Sequence, residues 1–163
     1  MNNAVVAVLA SNGFNEKEFL AVQKQLKDMG VNMKIVSANQ GLVNGWDNGH
    51  WGHNYAVDTV INTALGVDYD ALVIISGHRS HSKLMTTAHT KRFVSSFMMG
   101  QKPVFAFGDS VQMMQEIDQL DGRKVSSDAM MVNDMLVTGE WNEECAEMMH
   151  SMIMKNDDMK QAA

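Results

Sequence analysis

PVFAFGDSVQMMQEIDQL, residues Pro103–Leu120, changes character at its centre. Pro103–Phe107 is a short apolar run of strand length. Gly108-Asp109-Ser110 is a turn, and Val111–Leu120 reads as a helix. A strand that becomes a helix within three residues is half of a βα unit. It aims backbone N–H groups and the positive end of the helix at whatever occupies the turn. In hydrolases this geometry is the nucleophile elbow.

The same alternation extends outward. Ala4–Ala10 (AVVAVLA) is apolar throughout, as expected of a central parallel strand covered on both faces. Ser11-Asn12-Gly13 turns into a helix over Asn15–Met29, where Phe19, Val22, Leu26 and Met29 recur at helical spacing and Gly30 is the stop. Asn32–Ser37, Ala71–Ile75, Arg123–Ser126 and Met131–Val137 read as further strands. Gln40–Asn54, with Asn44-Gly45, Asn48-Gly49 and Gly52, predicts a β-hairpin. Thr90–Met99 and Trp141–Met154 read as helices. Strands alternating with helices predict an α/β fold with a mainly parallel sheet and helices on both faces. Residues 1–155 read as one domain and 156–163 as a polar tail that frays. Sites of such folds lie beyond the carboxyl ends of the strands. Three loops qualify: Ser11–Asn15, Ser76–Ser80 and Gly108–Ser110.

Composition narrows the partners. The chain has 163 residues, one cysteine and a formal net charge of -6. A lone cysteine excludes an internal disulfide, a C-x-x-C pair and a cysteine-based zinc finger. It leaves open a single catalytic nucleophile. The densest basic clusters are the pairs Lys91-Arg92 and Arg123-Lys124, too sparse for a phosphate-neutralising patch, so no nucleic-acid partner is expected. No apolar run approaches the ~20 residues of a membrane span. No basic n-region precedes Ala4. The expectation is a cytoplasmic protein with no membrane partner.

Several segments match one family in order. Asp68–Gly77 (DYDALVIISG) resembles the D-Y-D-A-L-V-I-P-G-G signature of the ThiJ/PfpI superfamily, relatives of class I glutamine amidotransferases. Gly100–Val104 resembles its G-K-P-V segment, Asp121–Ser126 its G-R-K-V-T strand, and Val132–Gly139 its V-x-D-G-x-L-I-T-G segment. The resemblance implies a flavodoxin-like α/β sandwich, often a homodimer. It also implies a nucleophilic cysteine in an A-x-C-H-G elbow, yet the matching stretch is Ala106-Phe107-Gly108-Asp109-Ser110. Gly108 stands at the cysteine position and Asp109 at that of its histidine neighbour. The family glutamate after the first strand falls at Asn15, with Glu16 one residue on as the other position. The P-G-G segment, whose N–H groups help build an oxyanion hole, reads Ile75-Ser76-Gly77. The C-terminal domain of large-subunit catalases is similar to this superfamily and carries a comparable cysteine-less elbow. The haem of those enzymes belongs to another domain, so no cofactor is implied.

The resemblance therefore implies a non-catalytic, stress-related accessory or binding protein. Its ligand pocket would draw on Asn15, Glu16, Ser76, Gly77, His78, Gly108, Asp109 and Ser110, and would take a small molecule. The rival is a hydrolase, amidase or glyoxalase-type enzyme rebuilt around Asp109, Ser110 and His78. The plainer reading of Asp109 or Ser110 is a helix N-cap. Cys145 lies among Ala146, Met149, Met152 and Ile153 at helical spacing, which favours a packed core thiol; neighbouring Glu143, Glu144 and Glu147 oppose a thiolate. His50/His53 and His78/His81 are i,i+3 pairs with no acidic ligand firmly placed beside them, so surface histidines are preferred to a metal site. The sixteen methionines cluster toward the C-terminal half, which suits adaptable packing better than Cu(I) binding.

Overall fold

Val6 and Val8 of β1 (Val5–Leu9) point into one hydrophobic cluster, and Ala7 and Leu9 into another on the opposite face. That two-sided burial is why the strand is apolar at every position. The structure is a computed structural model that describes residues 4–120, 125–126, 130–133 and 135–162. After β1 come β2 (Phe14–Asn15), α1 (Glu16–Asp28), β3 (Asn32–Ser37), β4 (Leu42–Asp47), β5 (His50–Ala56) and β6 (Thr59–Val60). A short 3-10 turn leads to β7 (Ala71–Ile74), α2 (His78–Leu84), α3 (His89–Met99), β8 (Val104–Phe107) and α4 (Ser110–Glu116). β9 (Met131–Asn133), β10 (Leu136–Gly139) and α5 (Glu143–Ala162) complete the described elements.

The main sheet has seven strands in the order β6-β3-β1-β7-β8-β10-β9. All neighbours are parallel except the β9–β10 pair. Phe19, Val22 and Leu26 of α1 pack with Met149 and Ile153 of α5 on one face. Phe93, Val94 and Phe97 of α3 and Met113 and Met114 of α4 cover the other. This is the flavodoxin-like α/β architecture that the sequence predicts. The chain runs from β1 outward to β3, then returns to the other side of β1 as β7. The order of strands reverses there, and a crevice opens beyond their carboxyl ends.

A second, three-stranded sheet (β2-β4-β5) carries the predicted hairpin. Tyr55 of β5 packs against Phe14 and Phe19, with ring centroids 5.7 and 4.7 Å apart. The hairpin is thereby fixed against α1 and beside the crevice.

Local differences from the sequence reading have identifiable causes. α2 forms where a loop is expected, because its polar residues are docked by hydrogen bonds: the buried Ser80 Oγ accepts from the Ser11 N–H at 2.8 Å. α4 starts at Ser110 and stops at Glu116, just before Asp118 adopts a left-handed φ of 59°. The single strand expected over Met131–Val137 is the antiparallel pair β9 and β10, with Val132 opposite Val137 and Asn133 opposite Leu136. Asp134 lies outside the described residues, as does the basic pair Arg123-Lys124, which is half of the Arg123–Ser126 segment. α5 continues to Ala162 instead of ending near Met154, since no glycine or proline interrupts it and Asn156 Nδ2 donates to Gln101 O at 3.0 Å. Residues 156–162, expected as a frayed tail, are helical backbone. Among the described residues no helix is long and apolar enough to cross a membrane.

Candidate functional site

The ends of β1, β7 and β8 bring the three predicted loops together. Gly77 has φ 138° and sits where an added Cβ would lie 2.7 Å from Gly13 O and 2.9 Å from Phe14 Cα. Only glycine allows the two loops to meet so closely. Gly108 has φ 55°, and a Cβ there would lie 3.1 Å from Ser76 Cβ. Above these two glycines is an open pocket of about 580 Å³. Asn15, Ser76, Gly77, His78, Gly108 and Asp109 line its floor and sides. Trp46 and Asp47 from the hairpin, Arg79 from α2 and Lys17 from α1 also line it.

Asn15 caps α1: its Oδ1 accepts from the Glu18 N–H at 3.2 Å, and its own N–H donates to Ser76 O at 2.8 Å. Glu16 does not face this pocket. It is 3% exposed and lies beneath the hairpin, where Glu16 Oε2 accepts from the Tyr55 hydroxyl and from the His53 N–H. His53 Nδ1 lies 3.0 Å from the same oxygen. Burial pushes the Glu16 carboxyl up, but these donors outweigh it and hold the group below its ordinary value.

The carboxylate behind the Ser76 loop, outside the pocket lining itself, is Glu18, which the sequence reading missed. Glu18 Oε1 accepts from the Ser76 N–H and Oε2 from the Ser76 hydroxyl, both at 2.8 Å. Burial pushes its carboxyl above the ordinary range, and the charges of Asp109 and Glu140 add to the shift. A signal for Glu18 was present. Asn15-x-x-Glu18 is the spacing of a capping box, in which the glutamate faces back toward the loop. Here the loop it meets is Ser76-Gly77 instead of the cap N–H.

Asp109 does not cap α4 with its side chain. Its Oδ1 accepts from the Gly77 N–H at 2.9 Å and lies 3.4 Å from His81 Nδ1. Ser110 is fully buried. Its hydroxyl donates to Ile74 O at 3.1 Å, and its oxygen is 3.0 Å from His81 Nε2. His81 Nε2 is also 3.1 Å from Ile75 O, so that nitrogen carries a proton and donates. The Ser110–His78 contact that the rival enzyme reading requires is therefore replaced by Ser110–His81, with polarity opposite to that of a general base. A buried hydroxyl whose proton is committed to a carbonyl hydrogen bond, with no base to take it, is not an activated nucleophile. His78 is exposed on the first turn of α2 and lines the pocket without touching Ser110.

Cys145 lies in the first turn of α5, wholly buried in the core. Its Sγ accepts from the Asn142 N–H at 3.4 Å, and burial pushes the thiol pKa up. The chain's one cysteine is thus remote from the pocket lining and in the wrong environment for a thiolate. His78 is exposed and His81 buried, and both border a second cavity of about 290 Å³ together with Asp109 and Glu116. Among the described residues no three His, Cys, Asp or Glu side chains converge on a metal-sized site.

Residues 4–157 match the model of the DJ-1/PfpI family. General stress protein 18 of Bacillus subtilis is 28% identical over 130 residues, covering 80% of this chain and 74% of that protein. A putative cysteine protease of the same organism, YraA, is 25% identical over 134 residues, covering 82% of this chain and 77% of that one. Among solved structures, oxidised DJ-1 of Toxoplasma gondii superposes with a TM-score of 0.77 at 17% identity. That alignment covers 98% of this chain and 94% of the other and is a likeness of fold.

Proposed function

The chain belongs to the DJ-1/PfpI family, and from that premise we propose that it is a member without cysteine chemistry, acting as a stress-related binding protein akin to the catalase C-terminal domain. The observation that carries this reading is the pairing of Ser76 with Gly108. At the elbow, where the resemblance calls for a nucleophilic side chain, there is a glycine. Ser76 stands where the family carries a glycine, and its Cβ lies 3.1 Å from the position a side chain at 108 would need. The carboxylate beside the elbow, Glu18, commits both oxygens to Ser76. The space and the hydrogen bonds of a nucleophile are thus used for packing, while the pocket above remains open. The name of the Bacillus general stress protein supports the stress-related part.

The test is turnover. The protein is incubated with fluorogenic peptides and with a small 2-oxoaldehyde, beside Cys145→Ser and Ser110→Ala variants whose folding is checked by thermal melting. No turnover is expected from any of them. Turnover by the parent that either variant abolishes would overturn the reading.

A further inference from the structure

Two arginines lie among the described residues, and they are used differently. Arg92 gives its donors to Ala64 O and Ile61 O at 3.0 and 2.9 Å, an ordinary structural role. Arg79 makes no hydrogen bond or ion pair among the described residues. It is nonetheless held in place. Its stem is pressed against Gly13, where any added Cβ would overlap it, and its guanidinium carbon lies 3.8 Å from the centre of the Trp46 ring. Trp46 is in turn braced edge-on by Trp51, with centroids 5.0 Å apart. A cation stacked on an aromatic face keeps its in-plane N–H donors free. Arg79 is therefore a positioned fork of donors beside the pocket, with no acceptor among the described residues. Lys17, also lining the pocket, has no ionic or hydrogen-bond partner among the described residues either.

Resting on the reading of this pocket as a binding site, we propose that its ligand is a small organic monocarboxylate, held by the Arg79 guanidinium with Lys17 as the second cation. The fork of an arginine matches the two oxygens of a carboxylate. The volume, about 580 Å³, is that of a small-molecule site. The indole of Trp46 supplies an apolar wall. Asp47 and Asp109 also line the pocket and set the charge limit. Asp109 accepts from the Gly77 N–H, while the carboxylate of Asp47 has no hydrogen-bond or ionic partner among the described residues. Set against Arg79 and Lys17, they leave the lining without net formal charge, which disfavours a dianion such as phosphate more than a monoanion.

Benzoate and its neutral isostere benzamide serve as probes, with inorganic phosphate as the dianion, titrated by calorimetry into the parent, Arg79→Met, Arg79→Lys and Lys17→Met. Arg79 and Lys17 are exposed, and thermal melting confirms that the variants fold. Benzoate should bind the parent at least about tenfold more tightly than benzamide or phosphate. Arg79→Met should erase that preference, and Arg79→Lys should restore part of it. Lys17→Met should weaken benzoate by a smaller factor and leave benzamide unchanged. Equal binding of benzoate and benzamide, phosphate binding more tightly than benzoate, an unchanged Arg79→Met or no benzoate binding at all would each overturn the proposal. Such a result, with turnover still absent, removes the ligand class alone. Turnover removes the non-catalytic reading whatever benzoate does.

Discussion

Gly108 and Ser76 act as one unit. Restoring a side chain at 108 puts an L-residue at φ 55°, which costs roughly 1–2 kcal/mol. It also presses on Ser76 Cβ at 3.1 Å. Gly108→Cys should therefore lower stability by at least that strain, and Ser76→Gly should lower it by freeing Glu18 from a hydroxyl partner. The double variant should be less destabilised than the sum, because removing Ser76 Cβ relieves the clash; couplings between touching residues run to about 0.5–3 kcal/mol. Urea unfolding of the four proteins measures this, and strict additivity would show that the two positions are independent. The glycine at 108 is plain in the sequence. What it leaves to Ser76 is not, since the two residues are far apart in the chain and meet only where β7 and β8 end. Glu18 was missed for a related reason. Alignment by motif favoured the nearer Asn15 and Glu16, whereas the turn of α1 decides which carboxylate faces the loop.

Among elements, the hairpin was legible and its attachment was not. Of the expected turn residues, Asn48-Gly49 is the turn that joins β4 and β5, with φ 51° and 83°, whereas Asn44-Gly45 lies within β4 and Gly52 within β5. That the hairpin closes over a buried carboxylate depends on Gly45 and Gly52, whose missing side chains admit Glu16. A Cβ at Gly52 would overlap Glu16 Oε1. Gly52→Ala should lift β5 from α1 and cost about 1–3 kcal/mol, the usual range for overpacking. Adding Glu16→Ala should return part of the loss, because it removes the group that is struck. A denaturation midpoint for Gly52→Ala equal to that of the parent would show that the hairpin adjusts freely. α2 makes the complementary point. Its sequence, HRSHSKL, has no apolar periodicity. It is held by Ser80, His81 and Leu84, and two of those three are polar groups buried through hydrogen bonds.

Over the whole molecule, two buried ionisable groups beside the elbow tilt stability with pH in opposite ways. Burial holds His81 below its ordinary value although Asp109 pulls it up. The unfolded chain then binds the proton more readily. The contribution of His81 is complete above about pH 6.5 and is lost as pH falls from there through the folded pKa. Glu18 is raised, so the native state holds its proton more tightly than the unfolded chain does. Its penalty is absent in acid and grows as pH rises past the ordinary carboxylate value of about 4.3. Urea midpoints between pH 4 and 8 should show Glu18→Gln gaining on the parent as pH rises, and His81→Gln losing less than the parent between pH 6.5 and 5. Differences that do not change with pH would remove both assignments.

The sequence by itself determined the architecture. Apolar runs of strand length alternating with amphipathic helices admit few arrangements, and a strand covered on both faces announces itself by having no polar positions. It also determined that the one cysteine, flanked by glutamates on an apolar helix face, packs in the core. The tertiary structure alone decided the chemistry of the crevice. Pairings such as Glu18 with Ser76, His81 with Ser110 and Arg79 with Trp46 join residues from separate elements. Their geometry is set by where parallel strands end and how a glycine lets loops approach. Hydrophobic periodicity reports burial along one element. It carries no record of which polar groups meet when several elements converge.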